Sequence, residues 1–281
     1  MGVSTALRTG EARRFSAEER LEAAFFSLAG GEAALHSSKS PVRETPNEDS
    51  ATVIAMGEDC GVLAVADGLG GAPGGQQASA LAVECLVEAV RNATREGHDA
   101  RWGILNGFET ANEQVLALGI GAATTLTVAE VGGKSVRAYH VGDSQVIVTG
   151  QRGKLKLQTI PHSPVGYGVE SGLLNEDDAM HHEERHVVSN AIGSSEMHID
   201  VGPPVRLAAR DTVLLASDGL FDNLLMKEIV ATVRKGPLER IVRDLADGAV
   251  ARMGGGGEGN PSKPDDLTFI VFRPTGRRSG R

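Results

Sequence analysis

VLAVADGLGG, residues 62–71, runs apolar for five residues and then delivers a carboxylate, Asp67, into a cluster of glycines. TVLLASDGLFD, residues 212–222, repeats the design with Asp218-Gly219-Leu220. A short apolar run bounded by glycine reads as a buried strand. In both places the strand ends on an acid, and the next residue has no side chain to keep backbone or substrate away from it. The fold must explain why a buried strand twice delivers a charge to an open turn.

Outward from these strands the chain alternates β-like blocks with pairs of helical patterns. Residues 51–56 and 61–66 form two arms of a hairpin around the turn Gly57-Glu58-Asp59-Cys60. Ala78, Leu81, Ala82, Cys85, Leu86, Ala89 and Ala93 recur at helical spacing, and a second helix is predicted over 100–118. From 122 to 148 Thr, Val and Tyr return with turns at short intervals, which predicts antiparallel neighbours. Residues 161–190 are polar, His-rich and aperiodic, and read as a long surface excursion. Strands resume at 205–207 and 212–217, helices follow near 224–234 and 237–252, and DDLTFIVF, 265–272, is a final strand after a glycine-rich loop.

At the N-terminus SAEERLEAAFFSLAGG, 16–31, pairs Ser16 with Glu19 as a capping box and stops at Gly30-Gly31, so a short helix is predicted there, followed by a polar connector, HSSKSP. Antiparallel blocks with helix pairs between them make an α+β layered domain.

The chain has 281 residues, 41% of them hydrophobic, and 36 glycines, enough for one domain with a sizeable core and many turns. A formal net charge of −9 disfavours nucleic acid and anionic membranes as partners. Cys60 and Cys85 give neither a disulfide framework nor a metal-binding Cys pair. With no long apolar run and no secretory leader pattern, a cytoplasmic protein is expected.

Asp67, Asp143, Asp218 and Asp265 all sit where a β-like run meets a turn, and Asp49 lies just ahead of a strand. One such aspartate is ordinarily a turn former or cap. Five brought close would repel one another unless a cation intervened. Oxygen donors without His or Cys select hard ions, Mg²⁺ or Mn²⁺, over zinc.

These residues resemble a family, the metal-dependent Ser/Thr protein phosphatases of the PPM or type 2C class, in its bacterial form. The likeness runs in order through VRETPNED (42–49), VADGLGG, AATTL (122–126), HVGDSQ (140–145), HSPV (162–165), AIGSS (191–195), LLASDGLFDNL (214–224) and DDLTFIV (265–271). It implies a four-layer α-β-β-α sandwich with two central antiparallel sheets. The resemblance spans 41–275, leaving 1–40 as an N-terminal extension with the short helix and 276–281 as a basic tail.

It also implies a site holding two Mn²⁺ or Mg²⁺ ions. Asp67 matches the bridging ligand, the Gly68 carbonyl joins one ion, and Asp218 and Asp265 hold the other. Glu48 and Asp49 match the acidic pair at the site, Asp143 and Asp222 match residues that hold a third ion, and Arg43 matches the arginine that grips the substrate phosphate. Two ions about 3.5–4 Å apart can deprotonate a shared water and aim it at phosphorus. The implied substrates are phosphoserine and phosphothreonine in proteins, with a Ser/Thr kinase and its targets as partners.

Two positions depart from the family pattern. Leu69 stands where some relatives carry a histidine, so the general acid stays unassigned. Asp265-Asp266 replaces the usual Asp-Asn, so Asp266 either adds charge to the metal site or faces solvent.

Rival readings are weaker. HEERH, 182–186, fits the zinc-protease pattern through His182, Glu183 and His186, yet no glutamate follows between 197 and 227 and β-like sequence follows at once. GLGGAP is like a dinucleotide loop, with Pro73 in the third glycine's place. His140 and His162 read singly as structural histidines. A catalytically silent phosphatase fold kept as a binding module predicts lost acids or a lost Arg43, and none is missing.

Overall fold

The computed structural model describes residues 4–69, 74–255 and 260–275. Four strands lead: β1 (Thr5–Ala6), β2 (Ala12–Ser16), β3 (Arg20–Leu28) and β4 (Gly31–Ser38). The expected hairpin follows as β5 (Asp49–Ala55) and β6 (Cys60–Asp67), then the expected helix pair α1 (Gly75–Glu96) and α2 (Ala100–Ala117). Next come β7 (Leu126–Gly132), β8 (Ser135–Val141), β9 (Gln145–Thr149) and β10 (Leu155–Gln158). Two short helices, α3 (Pro164–Glu170) and α4 (Glu176–Ala179), lie in the 161–190 excursion. After β11 (Asp200–Val201), β12 (Val205–Arg206) and β13 (Thr212–Ala216) come α5 (Asp218–Phe221), α6 (Met226–Val233), α7 (Leu238–Met253) and finally β14 (Leu267–Pro274).

One sheet has the order β1-β3-β4-β14-β13-β9-β10 and the other β11-β8-β7-β6-β5-β2, with β12 also on β8. Every neighbouring pair is antiparallel except β1 beside β3. The opening stretch explains itself in this setting. Along β6, Leu63 and Val65 face the other sheet, while Val62, Ala64 and Ala66 face α1 and α2. Along β13, Val213 and Leu215 enter the same inter-sheet core, while Leu214 and Ala216 meet α5, α6 and α7.

Both faces of each central strand are covered, so alternation of apolar with polar residues disappears and the runs read as continuously apolar. The layers are therefore helix pair, sheet, sheet, helices, an α+β four-layer sandwich of two largely antiparallel sheets. Burying one Val or Leu in such a core contributes about 1.5–3 kcal/mol.

The N-terminal expectation needs correction. Residues 16–31 form no helix: Ser16 ends β2, and β3 and β4 make a hairpin in the first sheet. Phe25 packs on the outer core beside α7's layer and Phe26 in the inter-sheet core, so adjacent phenylalanines need opposite faces. A strand supplies that at every step and a helix does not. The Ser16/Glu19 signal was a local coincidence overridden by pairing. HSSKSP is likewise no simple connector, because His36 to Ser38 pair with β14. Residues 4–38 thus add strands to both sheets, β2 beside β5 and β3–β4 beside β14. The basic tail at 276–281 and Gly70 to Pro73 of the GLGGAP stretch lie outside the described residues.

No described helix is long and apolar enough to cross a membrane.

Candidate active site

β5 and β6 are registered so that Asp49 pairs with Asp67, the first residue of one strand against the last of its neighbour. The AATTL segment fixes Asp67 from the other side. Thr125 donates its backbone N–H to the Asp67 carbonyl at 2.8 Å, the Thr124 hydroxyl donates to the same oxygen at 2.8 Å, and the Asp67 N–H donates to Thr125 Oγ1 at 2.9 Å. From the opposite sheet β13 delivers Ser217 and Asp218. Ser217 Oγ donates to Asp49 Oδ2 at 2.9 Å, a bond between the two sheets at the edge where their acids meet.

The two Asp-Gly pairs are both needed for this closeness. A Cβ at Gly68 would lie 2.4 Å from backbone atoms of Gly75, where α1 begins, and one at Gly219 would lie 1.8 Å from the Asp266 carbonyl oxygen. Each glycine lets the turn after an aspartate press against another loop of the site, which answers the question posed by the sequence.

Arg43, Glu48, Asp67, Asp218, Lys263 and Asp265 line one cavity of about 360 Å³, together with Gly68, Asp143 and Asp266. A neighbouring cavity of about 460 Å³ shares Asp143 and Asp218, reaches Asp222, and runs beneath the 161–190 excursion past Val165, Met180 and Met226. The structure therefore gathers every residue singled out for the site, with Asp49 buried directly behind.

The electrostatics show what crowding costs. Burial, with Asp49 and Asp218 nearby, holds Asp67 far above the usual carboxylate range. Burial and Asp266 do the same to Asp49. Burial, then Asp218, pushes Asp143 up to about 8, Asp265 to about 7 and Asp222 to about 6. Burial and Asp266 raise Glu48. Asp218 alone among these acids goes the other way: burial would raise it, but the Lys263 ammonium bonded to it holds it below its ordinary value.

Two cations of the chain stand among these acids. Arg43 forms a fork on Asp265, Nη1 to Oδ1 at 2.6 Å and Nη2 to Oδ2 at 3.3 Å. Lys263 Nζ donates to Asp218 Oδ2 and, at 2.8 Å, to Asp222 Oδ2. Sequence reasoning missed Lys263, which lies in an aperiodic loop with no motif around it.

Asp266 does not face solvent: it borders the acidic cavity, and its charge acts on Glu48 and Asp49. It is 6% exposed, and its two oxygens accept the backbone N–H groups of Ser40 and Glu48, both at 2.7 Å. Its charge stitches the Arg43–Glu48 loop to the start of β14.

The donor set fits hard divalent ions. All the candidate ligands are oxygens, and Asp49 Oδ1 is buried with no hydrogen-bond partner, close enough to Asp67 for its charge to act on that acid. The protease pattern does not survive. Residues 181–186 form turns rather than a helix, so His182 and His186 are not stacked one helical turn apart, and the exposed His186 instead borders the acidic cavity.

A separate grouping, His140, His162 and Asp200, brings potential donor atoms within 4.8 Å of one another. His162 Nδ1 accepts hydrogen bonds from the Gly142 N–H at 3.1 Å and from Asn190 Nδ2 at 2.9 Å, so the neutral ring carries its proton on Nε2, facing Asp200 Oδ2 at 3.2 Å. That nitrogen has no lone pair for a metal, and the pair is structural.

Comparison with known proteins agrees with this geometry. A model of the protein phosphatase 2C family matches residues 39–252. The serine/threonine phosphatase stp of Listeria welshimeri is 28% identical over 245 residues, 84% of this chain and 93% of that protein. The solved serine/threonine phosphatase Stp1 of Staphylococcus aureus has a TM-score of 0.73 at 25% identity, covering 87% of this chain and 95% of its own. The catalytic domain of the serine/threonine protein phosphatase PstP, solved with two manganese ions, has a TM-score of 0.65 at 25% identity, covering 86% and 97%. From its matched span and its layered fold, the chain belongs to the protein phosphatase 2C family.

Proposed function

We infer that the acidic cluster and Arg43 carry the reaction of this family. The chain is a metal-dependent protein serine/threonine phosphatase, splitting phosphoserine and phosphothreonine monoesters with water. The observation that supports this assignment of residues is the convergence of Asp67, Asp143, Asp218 and Asp265 with Arg43 on one cavity. So many buried carboxylates are tolerated only with counter-charge.

Asp67, the Gly68 carbonyl, Asp218, Asp265 and the Glu48/Asp49 pair would hold two Mn²⁺ or Mg²⁺ ions. Bound there, the ions supply an acidified water and neutralise charge on the phosphoryl oxygens.

The chain's own residues do the rest. Arg43 presents a planar fork of donors, now spent on Asp265, that matches two oxygens of a phosphate. Thr124 and Thr125 hold the Asp67 backbone, and Ser217 orients Asp49, so the acids approach the reacting centre from fixed strands. Leu69 offers no proton at the position after Gly68. The second cavity, with Val165, Val169 and Met226 on its walls, would take residues flanking the phosphoamino acid. Its substrates would be phosphorylated proteins, a kinase and its targets among them, in the cytoplasm.

Release of inorganic phosphate from a phosphothreonine peptide tests this reading. Turnover is expected with Mn²⁺ and is expected to vanish with chelator and in a folded Asp218→Asn variant. A folded, Mn²⁺-saturated wild type that leaves the peptide intact would refute the assignment of the site.

A further inference from the structure

Lys263 is held in the acidic cluster by more than its charge. Asn223, fully buried at the end of the α5 turn, accepts the Lys263 backbone N–H on Oδ1 at 2.8 Å and donates from Nδ2 to the Lys263 carbonyl at 2.8 Å and to the Gly219 carbonyl at 2.9 Å. The preceding residue is tied down as well. Ser262 Oγ donates to the Arg252 carbonyl at 2.8 Å, and Arg185 Nη2 donates to the Ser262 carbonyl at 3.0 Å. The backbone that presents the lysine is thus clamped to the same turn that presents Asp218 and Asp222, by neutral hydrogen bonds that no change in the acids would release.

The ammonium then meets Asp218 Oδ2, Asp222 Oδ2 at 2.8 Å and Asp265 Oδ2 at 3.5 Å, with the side chain only 15% exposed. Its charge also acts on Asp143. Asp222 and Asp143 are the acids that family likeness would give to a third ion, and the ammonium touches the first and acts on the second from the side of the cluster where Asp218 and Asp265 belong to the two-ion centre.

An ammonium and a divalent ion on the same carboxylate oxygen repel, so Lys263 on Asp222 Oδ2 disfavours a third ion at that oxygen. A lysine has no lone pair to offer when charged and so adds nothing to a metal's shell.

We propose that Lys263 is the resident cation of the third-ion position, so that this chain binds divalent ions only at the two-ion centre around Asp67. The site would work with a covalently attached positive charge where a third ion would otherwise have to be recruited from solution. The proposal rests on the two-ion reading above, and its test separates the two.

Equilibrium dialysis of the chelated full-length protein against Mn²⁺, with free ion read by electron paramagnetic resonance, counts ions bound per chain. Wild type is expected to bind two. Lys263→Met and Lys263→Gln, two neutral side chains of similar length whose folding is checked by thermal melting, are expected to bind three. Asp222→Asn should leave the wild-type count at two, and added to Lys263→Met it should return three to two.

A wild type that binds three ions, or neutral variants that fold and gain none, would overturn the proposal. A wild type that binds no ion sinks the two-ion reading instead. In that case one ion gained by the lysine variants still supports Lys263 as the occupant, and none gained counts against it.

Discussion

Asp67 and Asp218 line one cavity, although Asp67 ends β6 of one sheet and Asp218 opens α5 just after β13 of the other. Burial and the neighbouring Asp49 and Asp218 favour the protonated form of Asp67, while Lys263 favours the ionised form of Asp218. Asp67→Asn keeps the shape of the side chain but removes an acid that metal binding needs. In chelator the variant should be stabilised by on the order of 1 kcal/mol, about 2–4 °C in melting temperature, because a crowded acid is relieved. Its phosphatase activity should fall more than ~100-fold. Paired melting and phosphate-release assays check this. A variant less stable than wild type in chelator would contradict the strain argument.

Metal-free stability should depend on pH in a particular direction. Asp222, Asp265 and Asp143 have folded values raised from 3.8 to about 6, 7 and 8. On these three groups the folded chain holds more protons than the unfolded one between pH 4 and 8, and buried His140 and His162, held below the usual imidazole value, oppose this only below about pH 6.5. The contribution of the three acids is complete below the unfolded value and is lost as pH rises through 6, 7 and 8. Burial would favour a neutral Lys263, but Asp218 and Asp222 outweigh it and keep the ammonium charged throughout this window, so it does not reverse the slope. The melting temperature in chelator should fall between pH 5 and pH 8.5, and the increment given by saturating Mn²⁺ should widen over the same range. A flat or rising profile in chelator would argue against the clustered acids.

Asp266 should matter for stability more than for chemistry. Asp266→Ala strips acceptors from two backbone N–H groups in a nearly closed environment, at a cost of roughly 2–3 kcal/mol. Chemical denaturation measures it, and a change under about 0.5 kcal/mol would show that water replaces the carboxylate without loss.

Gly219→Ala should be among the most damaging single changes in the chain. The new methyl would fall on the Asp266 carbonyl, a backbone atom with no rotamer to escape into, and a loss above roughly 3 kcal/mol is expected. Soluble yield and melting temperature report it; a normally stable variant would mean that the Asp218 turn has room to shift.

For Arg43 the expected effect lies in substrate binding. Arg43→Lys keeps the charge and loses the fork, so KM for a phosphothreonine peptide should rise roughly 10-fold or more, with Arg43→Ala worse. Steady-state kinetics with saturating Mn²⁺ separates KM from kcat. Equal KM values for all three proteins would remove Arg43 from the phosphate site.

Much of this was legible in the sequence because it depends on local pattern. The β5–β6 hairpin, the α1–α2 pair and the Asp-Gly strand ends all follow from periodicity and turn chemistry within a few residues. The N-terminal strands were not legible. Residues 16–31 carry a helix start and stop, and only pairing with β14 and β5, far along the chain, gives Phe25 and Phe26 separate cores. Lys263 and Asn223 were hidden for a related reason. Their meaning lies in contacts between the α5 turn and a loop forty residues later, and nothing in PSKP distinguishes a site lysine from a solvated one. Asp266 was visible as a departure, but its two backbone partners could not be read from order alone.

Anomalous diffraction from crystals soaked in Mn²⁺ shows whether acids from both sheets meet around divalent ions. Two manganese peaks are expected with Asp67 between them, Asp218 and Asp265 on one, and none between Lys263 and Asp222. Crystals that diffract well yet show no peak beside Asp67 would contradict the account.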